Sequence, residues 1–140
     1  MNLENDKSQI TNNKQYQSSN TQSSKQYDLE ERTLNYAKRV NSFVRKLSRN
    51  VSNMENGRQL ARSAGSVGAN YIEANEALSK KDFCMRVKIA RKEAKESRYW
   101  LYLTEVRPPE EREKETLIRE ATELIKIFSS ILLKTKTFQT

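Results

Sequence analysis

At 140 residues, 35% apolar and 31% charged, with three Gly and two Pro, the chain has the length of one domain and the composition of a helical one. With no His and a single Cys, it excludes His-containing catalytic triads, His metal ligands, imidazole switches and an internal disulfide. A formal charge of +8 favours polyanionic partners, and no apolar run reaches bilayer-spanning length or forms a signal-peptide core, so the expected location is the cytoplasm.

Residues 1–27 are rich in Asn, Gln, Ser, Thr and Lys and hold almost nothing to bury. Such a segment does not offset its ordering entropy, so a disordered polar tail is expected there. A helical domain then occupies residues 28–136. Its first helix is expected over about Asp28–Arg49, with Asp28, Glu30 and Glu31 in the first turn and Arg45, Lys46 and Arg49 in the last, as the helix dipole favours. Ala37, Val40, Val44, Leu47 and Val51 draw an apolar seam at steps of three and four, widened by Leu34 and Phe43. Residues 48–57 are polar and read as a connection.

The second helix is expected over about Gly57–Leu78, with Leu60, Ala64, Val67, Tyr71, Ala74 and Leu78 as its seam. Ala61, Gly65, Gly68 and Ile72 form a line of mostly small residues beside it. Glycine inside a helix costs about 1 kcal/mol against alanine, and close approach of another helix is the expected compensation. Ser79 then caps a third helix, over about Lys80–Thr104, with Asp82 at its third position.

That third helix carries three stripes. Phe83, Val87, Ala90, Ala94, Ser97 and Leu101 form a core seam, and Met85, Ile89, Tyr99 and Leu103 lie roughly 200° away at 100° per residue. One bundle cannot bury both faces, so a second packing partner is expected. The third stripe is basic: Lys81, Lys88, Arg91, Lys95 and Arg98, continued by Tyr102. Pro108 and Pro109 end the helix, and Pro109 opens a fourth, with Glu110, Glu111 and Glu113 at its positive end. Leu117, Ala121, Leu124, Phe128 and Ile131 form its seam. Four helices with short connections predict an all-α, antiparallel up-down-up-down four-helix bundle.

Several short strings together are similar to one family. They are Gln59-Leu60, Arg62-Ser63-Ala64, Ala69-Asn70, Ile72-Glu73-Ala74, Ser79-Lys80-Lys81-Asp82-Phe83, Lys92-Glu93-Ala94-Lys95-Glu96 and Tyr99-Trp100-Leu101. Over about residues 28–135 the chain resembles the four-helix-bundle proteins of bacterial 23S rRNA intervening sequences. The resemblance implies an all-α bundle assembled as a ring-like homopentamer, without enzymatic activity. A similar bundle serves as the accessory subunit of diversity-generating retroelements, where it contacts a reverse transcriptase and RNA.

The basic stripe is the leading functional candidate. Residues 80–100 hold eight Lys or Arg against three acids. Such a row suits phosphates and gives salt-dependent, weakly sequence-selective binding to RNA or DNA. Arg39, Arg45 and Lys46 add charge from the first helix. Tyr102 is the candidate for stacking on a base. The competing reading makes these solvated faces with salt bridges between subunits, and the function a protein-binding scaffold that recruits an enzyme.

Met85, Ile89, Tyr99, Trp100 and Leu103 are the expected oligomer interface. Arg62, Ser66, Asn70 and Glu73 share one face of the second helix and are expected to form a structural network with Lys92, Glu93 and Glu96, Arg62 pairing with Glu96. Carboxylate bundles that hold di-iron use Glu-x-x-His, which a chain without His lacks. No cofactor, metal or catalytic residue is expected.

Overall fold

The computed structural model describes the backbone of residues 17–137 and the side chains of residues 28–136. Four α-helices and no strand are present among the described residues: α1 Gln17–Lys46, α2 Val51–Asn75, α3 Lys80–Leu103 and α4 Pro108–Thr137. Each helix packs on two others, in the pairs α1–α2, α2–α3, α3–α4 and α1–α4.

α1 starts at Gln17, not near Asp28. Once the packed part has nucleated a helix, each added residue gains a hydrogen bond, and the polar run preceding Asp28 has no breaker to stop it. Residues 1–16 of the expected polar tail lie outside the described residues. Along α1 the buried line is Leu29, Thr33, Tyr36, Val40 and Phe43. The expected seam was therefore rotated: Leu34 and Val51 are exposed, while Ala37, Val44 and Leu47 lie at the margin. The missed positions are Leu29, Thr33 and Tyr36, and the polar atoms of the last two find partners inside. The Thr33 hydroxyl donates to Glu30 O at 2.9 Å, and the Tyr36 hydroxyl lies 2.7 Å from Ser97 Oγ.

α2 starts at Val51, well before the expected Gly57. Asn50 is its N-cap, in extended backbone, and its side chain accepts from Asn53 N at 2.8 Å. Asn53, one turn in, is buried and joins both loops at this end of the bundle. Its Nδ2 donates to Ser48 O and Glu105 O at 3.0 and 2.9 Å, and its Oδ1 accepts from Glu105 N at 2.9 Å. The helix ends at Asn75, so the expected seam residue Leu78 falls in the α2–α3 turn and is 99% exposed.

The two glycines of the small-residue line differ. A Cβ on Gly68 would lie 2.9 Å from Thr33 Oγ1, so α1 and α2 need glycine there. A Cβ on Gly65 would meet nothing within 4 Å, and no close approach explains it. Gly57, expected to open the helix, lies inside it against Val44.

α3 keeps its expected cap, Ser79 Oγ accepting from Asp82 N at 3.1 Å, and its core seam of Val87, Ala90, Ala94, Ser97 and Leu101. α4 begins at Pro108, with Glu110 and Glu111 in its first turn and Lys134 and Lys136 in its last. Leu117, Ala121, Leu124 and Phe128 complete the core, where Phe128 meets Tyr71 at a ring separation of 5.9 Å. Truncating one of these buried leucines to alanine costs about 2–5 kcal/mol.

Candidate nucleic-acid interface

α3 holds the basic stripe on the side that faces α4. Two guanidiniums reach that neighbour: Arg91 Nη1 donates to Ser129 Oγ and Arg98 Nη1 to Thr122 Oγ1, each at 3.1 Å. Lys81, Lys88 and Lys95 are exposed, and Tyr102 presents its ring at the far end, 61% exposed. The result is a row of cations along one helix, with its two arginines steadied by α4 hydroxyls and its lysines in water.

At the α3 N-terminal end this row borders a groove of about 820 Å³. Lys81, Lys88, Arg91 and Lys136 supply its charge, and among the described residues no acidic one lines it. Its floor is Cys84, Met85, Leu132 and Leu133, with Ser129 beside them. Sequence reasoning missed this groove, since half of it comes from the end of α4.

The α1 cations do not join the row. α1 packs on α2 and α4, so it lies diagonally from α3. Arg39 lines a second, smaller groove with Arg119, Lys126, Glu120 and Glu123, where charges are mixed. Nearby, Arg32 grips Glu120 with two hydrogen bonds, at 2.8 and 2.9 Å. Arg45 and Lys46 end α1, both exposed, at the end of the bundle opposite the first groove.

Across α2 and α3 runs the polar line. Arg62 bonds Glu96 at 2.5 Å, donates from Nε to Gln59 Oε1 at 3.2 Å, and lies 3.6 Å from Glu93. That last distance is an ion pair but too long for a hydrogen bond, and buried Glu93 Oε1 has no hydrogen-bond partner. The Ser66 hydroxyl donates to Arg62 O and Asn70 Nδ2 to Ser66 O. Glu73 pairs with Arg86 at 2.7 Å, and Arg86 also contacts Asn70 Oδ1 at 3.4 Å. Arg86 was missed from sequence; it sits seven residues before Glu93, on the same helix face. Lys92, expected in this network, is exposed.

Met85, Tyr99 and Leu103 are 50%, 56% and 42% exposed, while Ile89 and Trp100 are half-buried. Tyr99 and Trp100 meet edge to face at 5.1 Å, and Trp100 Nε1 donates to Glu96 Oε1 at 3.4 Å. The bundle thus leaves the second apolar face of α3 largely uncovered. Among the described residues no cluster of His, Cys, Asp and Glu is arranged to hold a metal ion, and no helix is long and apolar enough to cross a membrane.

The sequence profile of the 23S rRNA-intervening sequence proteins matches residues 25–130, taking in all of α2 and α3 and most of α1 and α4. The chain belongs to the 23S rRNA-intervening sequence protein family. A crystal structure at 1.70 Å of a family relative, a protein of unknown function from the S23 ribosomal protein family of Bacteroides thetaiotaomicron, is similar to it. The two share 32% identity over 74% of this chain and 96% of the relative, with a TM-score of 0.59. No curated protein matches. This intervening-sequence protein therefore has its fold and family from its relatives, while its chemistry has to be read from its own surface.

Proposed function

We propose that this chain is a non-catalytic RNA-binding accessory protein, working as a ring-like homo-oligomer, a pentamer, of up-down-up-down bundles. The observation that carries the reading is the α3 row: exposed Lys81, Lys88 and Lys95 in line with Arg91 and Arg98, beside a groove that among the described residues is lined by no acid. Point charges along one helix suit a phosphate backbone and discriminate little between sequences. The order of partners supports the up-down course. Numbers rise on one helix as they fall on the next: Thr33 meets Gly68 and Val44 meets Gly57, Arg62 meets Glu96 and Glu73 meets Arg86, Arg98 meets Thr122 and Arg91 meets Ser129.

Exposed Met85, Tyr99 and Leu103 support self-association, because burying them removes apolar surface from water at about 25 cal/mol per Å². The homopentamer itself rests on the family resemblance. Repetition of the row around a ring multiplies modest contacts through avidity.

A mobility-shift assay with single-stranded RNA at low salt tests the function. The wild-type chain retards the RNA, and replacing Lys88, Arg91 and Lys95 by Glu abolishes the shift. Equal retardation by the variant overturns the reading.

A further inference from the structure

The groove at the α3–α4 end differs from the rest of the basic row in having an apolar floor. Cys84 and Met85 enter it from α3, Leu132 and Leu133 from α4, while Lys81, Lys88, Arg91 and Lys136 stand around them. A floor of this kind is of no use to a phosphate, and a rim of this kind is of no use to an uncharged ligand. An occupant that satisfies both presents an apolar face and negative charges at short range. An unstacked nucleotide has that make-up, with a flat base beside its phosphates.

The position of the groove argues for a polymer over a small anion. It opens at one end of the same row that continues through Lys95 and Arg98 to exposed Tyr102, about 20–30 Å away along α3 at 1.5 Å per residue. A strand laid on the row passes over the groove.

We infer that this groove seats an unpaired base of a bound RNA, so that the protein selects single-stranded over double-stranded RNA. The inference rests on the RNA-binding reading above and adds the preference that phosphate contacts alone do not create. In a duplex the bases are stacked and paired, and the Met85–Leu132–Leu133 floor stays empty. In a single strand one base turns onto it while the flanking phosphates meet Lys81, Lys88, Arg91 and Lys136.

Cys84, the chain's single cysteine, is half-buried in the groove and makes a built-in reporter. The experiment measures the alkylation rate of Cys84 in the full-length protein, alone, with oligouridylate, with an RNA duplex and with polyglutamate. Oligouridylate is expected to slow alkylation about fivefold or more, and the duplex to bind without slowing it. One exposed residue of the groove, outside the expected subunit interface and the core, tests the same point: Leu133→Ser should weaken oligouridylate binding about fivefold or more and leave duplex binding unchanged. Binding of oligouridylate with Cys84 unprotected overturns the base seat and leaves the basic row standing. No binding of either RNA overturns the function itself. Equal protection by polyglutamate, or a Cys84 already shielded in the free assembly, shows instead an acidic-protein site or a subunit contact, and also overturns the seat.

Discussion

The Tyr36 hydroxyl and Ser97 Oγ meet at 2.7 Å in the interior of the bundle, between two diagonal helices. Ser97 also lies 2.8 Å from Ala94 O, to which its hydroxyl donates, so Tyr36 is the donor to Ser97. The pair is asymmetric. Ser97→Ala strands a buried phenol donor and should cost about 1–3 kcal/mol, while Tyr36→Phe leaves Ser97 its carbonyl partner and should cost about 0.5–1.5 kcal/mol. Urea midpoints for the two variants check that order.

Burial raises the Tyr36 phenol to about 12, against a smaller lowering by its bond to Ser97. In the unfolded chain a tyrosine ionises near 10. The folded state therefore holds its proton more tightly, and its contribution is intact below pH 10. As pH rises from about 10 to 12 the unfolded state ionises first and about 2–3 kcal/mol of stability is lost. Denaturation curves between pH 9 and 12 should show Tyr36→Phe losing less stability than the wild type by that margin.

Gly68 and Gly65 should respond to alanine with opposite signs. Gly65→Ala meets nothing and gains about 1 kcal/mol of helix propensity. Gly68→Ala drives a methyl against Thr33 Oγ1 and should destabilise by about 1–3 kcal/mol. Adding Thr33→Ala to Gly68→Ala should recover part of the loss, as a double-mutant cycle in urea would measure.

Asn53 joins the α1–α2 and α3–α4 loops through three hydrogen bonds. Asn53→Ala should cost about 2–4 kcal/mol, more than the roughly 1 kcal/mol expected for the cap variant Asn50→Ala. Thermal melts of both compare them directly.

Much of this architecture was legible in the residue pattern, and the misreadings have definite causes. Ser79 followed by Asp82 marked the start of α3 because a side-chain cap is a local signal. The start of α2 escaped because Asn50 lies in a polar run where any of several residues can cap, and only the fold selects one. The α1 seam slipped because Thr33 and Tyr36 count as polar until their partners are known. Arg62–Glu96 was expected because charges on facing helices need partners, and the antiparallel register that this pair sets also places Glu73 opposite Arg86, the partner that was missed. The groove was illegible, since nothing local to Met85 announces Leu132 across from it.

The central claim is that the α3 row contacts phosphates, and the salt dependence of RNA affinity tests it most directly. Each phosphate contact in a single-stranded complex contributes a slope of about −0.7 in log affinity against log salt. Replacing exposed Lys88 or Lys95 by Gln should make the slope shallower by about 0.7 each, and replacing Lys126, on the second groove, should leave it unchanged. A slope unmoved by Lys88→Gln and Lys95→Gln together would contradict the account.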